Sequence, residues 1–535
     1  MKKGKKIVAL LLVGMLVLSA LTGCSGGKKP AGQTGGDAQP TQAGQSGDSV
    51  DAAQTYNGQD VSKPVELVMY YIGDKTEDED LVLEKINAVL KEKINATLAL
   101  KNMSLSDYST KYALTIAGGE DVDLIYTSTW AFYQSEANKG AFAEVTDQVL
   151  ADYMPLHKEN QAEASWGQAK IGGKIYFVPC NMANVSANAI VIRGDLREKY
   201  GLDRLKGLKD LEAYYTAVAG DKDSGVSFAY NASQHNDTSK YIGLYSENNW
   251  VRIEGSLMNY FSYQYSDSVT ADDLFWIYGT DEYLAYAKLM KEWADKGFWS
   301  KSAIANATDV KESFLNGTSA SFTQNLGTVG AVASEVEKNH PEWKPEVYDL
   351  NPGADRFFAA YTGDGVAVLA NSKNQERAFM ALDLLKFDEE LYRLVRYGIE
   401  GTHYKIVSDG IWAAGDQMSR NPFGNGFSWG LKNSMYEMTR EDMFPDQKEI
   451  GDAWSAKAVE GPTAAFSFDD TKVKNELASL QSVYTQYIPL LDLGLVEDVE
   501  GTLAEFNKQA EAAGMQKVMD EMKLQLTAYL EGVKG

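Results

Sequence analysis

From Val65 onward the apolar positions change period in a regular alternation. Val65-Glu66-Leu67-Val68-Met69-Tyr70-Tyr71 is a short apolar run, which reads as a buried strand. After the polar turn 74–80, Leu81, Ile86, Val89, Leu90 and Ile94 fall on one side of a helix. Residues 96–100 read as a second strand, 107–116 as a helix stopped by Gly118-Gly119, and Asp123-Leu124-Ile125-Tyr126 as a third strand. This order predicts a parallel sheet covered by helices. Ligands of such sheets sit beyond the carboxyl ends of the strands, so the loop Thr127-Ser128-Thr129-Trp130 falls where a ligand is expected.

Two further apolar runs, 175–178 and 189–192, flank the polar segment 179–188, the expected first passage of the chain between two lobes. Helical patterns occupy 208–219, 283–296 and 329–338, and a second passage is expected near Asn351-Pro352-Gly353. Residues 365–369 then read as a strand and 376–386 as a helix, a return to alternating α/β. Near the C-terminus Val473, Leu477, Leu480, Tyr484 and Tyr487 form one apolar stripe, with Pro489 and Gly494 beyond it. Leu503, Phe506 and Ala510 form a second stripe, and Met515, Val518, Met522, Leu526 and Tyr529 a third. The plan is an α/β first lobe (61–182 and 352–410), a mostly helical second lobe (183–351 and 411–465) and a C-terminal helical segment (466–535).

The N-terminus has a different character. Lys2, Lys3, Lys5 and Lys6 precede an apolar stretch from Ile7 to Leu21, followed by Thr22-Gly23-Cys24. The stretch is shorter than the roughly 20 residues that span a bilayer, and its layout is that of a secretory leader, residues 1–23. Its end, Leu21-Thr22-Gly23-Cys24, resembles a bacterial lipobox, which implies that Cys24 is lipidated and becomes the mature N-terminus on the outer face of the cell membrane. Residues 24–60 are rich in Gly, Gln, Ser, Ala and Asp and read as a disordered tether after that cysteine.

The chain has 535 residues and a formal charge of −24. Such acidity disfavours nucleic acid and anionic ligands. Cys180 is the other cysteine, so with Cys24 lipidated no disulfide forms within one chain. No phosphate loop, nucleophile elbow or His-Glu-x-x-His helix is present, which leaves catalytic residues and cofactors unassigned. His157, His235, His340 and His403 are dispersed, against a histidine-rich metal site. Asp221-x-Asp223-x-Gly225 has Ala232 where a calcium loop needs a bidentate Glu, and reads as a solvated turn. A glycosidase needs two facing carboxylates, and among 75 acidic residues the sequence neither names nor excludes a pair. The 30 Tyr and 10 Trp supply flat faces of the kind that stack on sugar rings.

Several segments carry a family resemblance. Gly173-Lys174-Ile175-Tyr176-Phe177-Val178-Pro179 resembles a Gly-Lys-x-Tyr-x-x-Pro motif at the first passage, and Ala189–Leu196 with Lys199-Tyr200-Gly201-Leu202 resembles the opening of a second lobe. Ser372-Lys373-Asn374-Gln375-Glu376-Arg377-Ala378 resembles a Ser-Lys-Asn-Pro-Glu-Arg-Ala helix start, with Gln375 in place of Pro. Tyr397-Gly398-Ile399-Glu400-Gly401-Thr402-His403-Tyr404 resembles a Tyr-Gly-x-Glu-Gly-x-His-Tyr motif, and the tail from Phe466 resembles a C-terminal domain of unknown function. Together they resemble family 1 extracellular solute-binding lipoproteins, the receptors of ABC sugar importers. The resemblance implies a two-lobed, periplasmic-binding-protein-like (type II) α/β fold with extra C-terminal helices. It further implies a monomer without catalysis, metal or cofactor, which closes on an oligosaccharide and docks on ABC permease subunits. A tethered carbohydrate-active enzyme, a receptor for a peptide or other solute, and an adhesive lipoprotein remain as alternatives.

Placement nominates the ligand contacts. Trp130, Trp250 and Trp429 are the candidate stacking plates. Asn181 and Asn184 past the first passage, Arg252 beside Trp250, Asp364 before a strand, and Glu400 and His403 in the glycine-rich turn are the candidate polar contacts.

Overall fold

The computed structural model describes residues 54–104, 107–118, 121–185, 187–233, 250–252, 261–266, 268–420, 425–464, 466 and 468–534. Cys24, the leader and tether residues up to 53 lie outside the described residues; residues 54–60, expected in the disordered tether, are instead ordered, with Thr55–Tyr56 paired antiparallel to Gln59–Asp60 and the Tyr56 hydroxyl donating to Asp383 at 2.6 Å. Among the described residues no helix is long and apolar enough to cross a membrane.

The first lobe is built on a five-stranded sheet: β1 (Val65–Ile72), β2 (Ala96–Met103), β3 (Leu124–Thr127), β4 (Val178–Pro179) and β5 (Gly365–Val368). Their spatial order is β2-β1-β3-β5-β4. β1 runs parallel to β2 and β3, as the alternating pattern predicts. β5 runs antiparallel to β3 and β4, which the sequence pattern does not show. This strand enters from the second lobe rather than from a crossover helix, so it meets the sheet from the opposite end.

The helix Glu79–Ile94 follows β1 and buries Val82, Ile86, Val89, Leu90 and Ile94. Leu81, expected on that face, is 42% exposed. The buried stripe runs from Val82 to Ile86 and Val89/Leu90, a spacing of four then three or four, and Leu81 falls one position off it. Acidic residues in its first turn and lysines in its last complement the helix dipole. The Asp123 carboxylate accepts from the Val68 amide at 2.9 Å, the Ser372 hydroxyl at 2.6 Å and the Asn374 amide at 3.1 Å. Those bonds give the Ser-Lys-Asn segment its structural role: it ties the start of the helix Gln375–Phe387 to the sheet.

The second lobe has a central strand, Asn188–Arg193, antiparallel to both Ser321–Asn325 and Pro345–Tyr348. Ala189, Ile190, Val191 and Ile192 are buried there beneath the helix Leu326–Asn339. The C-terminal helices Lys474–Asp492, Val499–Ala512 and Met515–Lys534 complete this same core through Leu477, Leu480, Phe506, Val518, Met522 and Leu526. Trp276 stacks on Phe506 at 6.0 Å and donates to Asn507 at 2.7 Å, so the tail is part of the lobe. Pro489, expected beyond the first of these helices, lies inside its last turn. Proline has no N–H to donate to the carbonyl four residues back, so the helix forgoes the bond to Thr485 at this point.

The chain leaves the first core after Cys180 and returns by Val366. It then stays with that lobe to Met438, and Phe444 is the next residue in the second core. The final passage was expected at residue 411, and this boundary is corrected to 439–443. The reason is local pairing. Tyr404–Ser408 pairs with Ile411–Ala414, which pairs with Thr439–Arg440, and the helix Gly426–Gly430 packs on β1, β3 and β5. Two passages lie side by side: Val185 bridges Phe358, and Ala359 N donates to the Asn184 carbonyl at 2.7 Å. Phe358 N donates in turn to the Val459 carbonyl at 3.0 Å.

Candidate functional site

The carboxyl end of β3 and the amino end of β5 meet at one edge of the sheet. The turn after β3 is closed by Ala131 N and Tyr133 N, each donating to the Ser128 carbonyl at 3.0 Å, and by the Thr127 hydroxyl on the Ala131 carbonyl at 2.9 Å. It forces Phe132 to φ +63°, a left-handed conformation that bulky residues rarely adopt and that costs about 1–3 kcal/mol. Phe132 is held there by stacking on Tyr112 at 5.3 Å.

This turn presents Trp130. Its indole nitrogen donates to the Gly363 carbonyl at 2.8 Å, and Thr129 N donates to the Thr362 carbonyl at 3.0 Å. Trp130 is 37% exposed although its N–H is satisfied. Tyr108 stands edge-on to it at 5.6 Å. Tyr126, fully buried, lies 5.9 Å from Trp130 and 6.3 Å from the half-buried Trp429, so one ring links two candidate plates.

Asp364 closes the cluster. One carboxylate oxygen accepts from the Tyr126 hydroxyl at 2.6 Å and the other from the Lys432 ammonium at 2.8 Å. The two side chains of the ion pair are each about one-fifth exposed, at 19% and 20%. Burial, then the charge of Asp364, pushes the Tyr126 hydroxyl well above its ordinary pKa, so it is a fixed donor. Rings with a hydroxyl, a carboxylate and an ammonium between them can stack on one face of a polar ligand and hydrogen-bond its edge. Lys432 and the two tyrosines were not legible as site residues in the sequence.

The other nominated residues are placed differently. Asn181 is buried, with its amide oxygen accepting from Ala162 N at 2.9 Å and its amide nitrogen donating to Asn433 at 3.1 Å. Its side chain is consumed in joining two loops of the first lobe, which corrects the expectation of a ligand contact. His403 is corrected likewise: it is fully buried, its Nδ1 accepts from Ile399 N at 2.9 Å and its Nε2 lies 3.1 Å from Asp78. The glycine-rich motif around it builds a turn. At Gly398, φ +80°, a Cβ would lie 2.6 Å from the imidazole. The hydrogen bond from His403, with the charge of Arg420 behind it, holds the Asp78 carboxyl below its usual range.

Glu400 is exposed in that turn and bridges Tyr404. Asn184 is exposed at the first passage. Trp250 and Arg252 form a strand with Phe261–Gln264 in the second lobe, and their side chains lie outside the described residues. The Asp221 carboxylate is taken by the Lys199 ammonium at 2.6 Å and the Tyr200 hydroxyl at 3.0 Å. Among the described residues no group of three or more His, Cys, Asp or Glu is placed to hold a metal.

The two lobes also touch directly. Gln168 donates to Glu460 at 3.0 Å, and Asn138 to Asp469 at 3.5 Å. Two cores joined by adjacent passages, with a polar-aromatic site at one sheet's edge, define a two-lobed binding protein of the hinge-bending kind. The sequence relationships agree. The chain belongs to the bacterial extracellular solute-binding protein family, which matches residues 84–390, and a domain of unknown function matches residues 462–531. A carbohydrate ABC transporter substrate-binding protein of Streptococcus pneumoniae is 24% identical over 88% of this chain and 92% of its own. A polygalacturonan/rhamnogalacturonan-binding protein of Bacillus subtilis, YtcQ, is 26% identical over 60% of each chain. The crystal structure of the N-glycan transport solute-binding protein NgtS of Streptococcus pneumoniae with Man1GlcNAc superposes with a TM-score of 0.69 at 21% identity, over 88% of this chain and all of that one.

Proposed function

We propose that this protein is the receptor of an ABC importer, capturing an oligosaccharide between its lobes and releasing it unchanged to the permease. The observation that carries the reading is the Trp130–Tyr126–Trp429 ring series joined to the Asp364–Lys432 pair. Aromatic faces with hydrogen-bonding groups at their rims suit the C–H faces and hydroxyls of a sugar. The carbohydrate-transport relatives support the same ligand class. Side-by-side passages give a hinge, and closure excludes water from both faces of the ligand, strengthening its hydrogen bonds. In this reading Cys24 carries the lipid that moors a monomer to the cell membrane, and the tether leaves the body free to reach the permease.

Titration of the purified protein with a glycan panel, with mass spectrometry of the recovered glycan, tests the reading. Saturable binding with an unaltered glycan is expected. A glycan that is cleaved identifies a surface enzyme instead, and a response confined to peptides changes the ligand class.

A further inference from the structure

We propose that the Asp364–Lys432 pair makes this site selective for uncharged glycans over uronate-bearing ones. The inference rests on the oligosaccharide reading above and adds the charge class of the ligand. Family membership does not supply that class, since one relative is named for an acidic glycan.

Lys432 reaches the ring cluster, and Asp364 neutralises it at 2.8 Å. The other oxygen of Asp364 is engaged by Tyr126 at 2.6 Å, so the carboxylate is fixed from two sides. The main chain holds both partners: Cys180 N donates to the Asp364 carbonyl at 2.8 Å, and Asn181 N to the Lys432 carbonyl at 2.7 Å. A ligand anion that approaches Lys432 therefore meets a charge already neutralised by a carboxylate held beside it.

A neutral hydroxyl meets no such conflict. It can accept from an ammonium proton that Asp364 leaves free, or donate to a spare carboxylate lone pair. A ligand carboxylate would instead face Asp364 at short range while losing water, and an unpaired charge is expensive to desolvate. Glu460, which accepts from Gln168 beside the same edge, adds negative charge. The formal charge of −24 acts in the same direction at long range.

The test uses the whole protein and matched probes: mannopentaose, cellopentaose and galactopentaose, each with a counterpart whose primary alcohols are oxidised to carboxylates. Calorimetry should show the wild type binding a neutral parent at least tenfold more tightly than its oxidised form, about 1.4 kcal/mol. Asp364→Asn frees Lys432 and should narrow that ratio at least tenfold, with a gain in oxidised-glycan affinity that salt weakens. Asp364→Asn combined with Lys432→Gln should lose the gain, which separates the charge effect from a folding defect. Equal wild-type affinity for a parent and its oxidised form, or an unchanged ratio in Asp364→Asn, overturns the inference. Absence of wild-type binding to all six probes and to every glycan of the wider panel overturns the receptor reading itself.

Discussion

The Tyr126 hydroxyl donates a 2.6 Å hydrogen bond to Asp364, a residue 238 positions later in the chain. The bond joins the end of one strand to the beginning of its antiparallel neighbour. It also fixes the tyrosine ring between Trp130 and Trp429. Tyr126→Phe keeps the ring and removes the donor. The partly exposed Asp364 carboxylate then loses one charge-assisted hydrogen bond from a buried donor, and chemical denaturation should show a loss of about 1–3 kcal/mol. An unchanged unfolding midpoint would mean that water replaces the hydroxyl.

Trp130 has its N–H satisfied by Gly363 and remains 37% exposed. Trp130→Ala should weaken glycan binding by about 1–3 kcal/mol, while the melting temperature of the free protein moves little. Calorimetry on the folded variant checks this, and unchanged affinity would remove the ring from the site.

How far the sequence announced this arrangement depends on the length scale of each signal. The strands at residues 65 and 124, the helices between them and the three C-terminal stripes follow from local periodicity, and the structure has them. The antiparallel direction of Gly365–Val368 depends on where the chain re-enters the sheet, which no local pattern encodes. Residues 411–438 are expected from the sequence in the second lobe. Their place is set by strand pairing of Ile411–Ala414 with Thr439–Arg440 and by packing of Gly426–Gly430 on the sheet. Of the nominated contacts, Trp130, Asp364 and Trp429 converge. Asn181 and His403 have the right residue types, but their polar atoms are used within the lobe. Lys432 has no signature of its own, and only the fold brings it to Asp364.

Acid should loosen the first lobe through His157. Its Nδ1 donates to Asp383 at 2.8 Å, and its Nε2 is buried without a hydrogen-bond partner. Burial lowers its pKa from 6.5 to about 4, opposed by the bond to Asp383 and assisted by the charge of Lys386. The unfolded chain therefore binds this proton at a higher pH than the native one. The associated stability is complete above pH 6.5, shrinks as the pH falls and is gone below about 4. The expected loss is up to about 3 kcal/mol. Unfolding midpoints measured across that range should fall with pH, and His157→Gln should flatten the curve. An equally steep curve in the variant would place the acid sensitivity elsewhere.

Lys386 gives a second window. It is fully buried, donating to the Pro179 carbonyl at 2.5 Å beside the first passage. Burial lowers its pKa to about 7, against the opposing charge of Asp383. The unfolded lysine keeps its proton to higher pH than the folded one, so stability should rise with pH from about 7 toward 10.5. Lys386→Met should remove that slope between pH 7 and 9, measured by denaturant titration. A retained slope would show that another group carries it.

The most direct measurement is small-angle scattering of the protein alone and with each glycan shown by calorimetry to bind. If the lobes hinge at the paired passages Val185 and Phe358 and shut on a sugar, the radius of gyration should fall on saturation, and mass spectrometry should recover the sugar intact. A saturating glycan that leaves the scattering curve unchanged, or returns as fragments, would contradict the account.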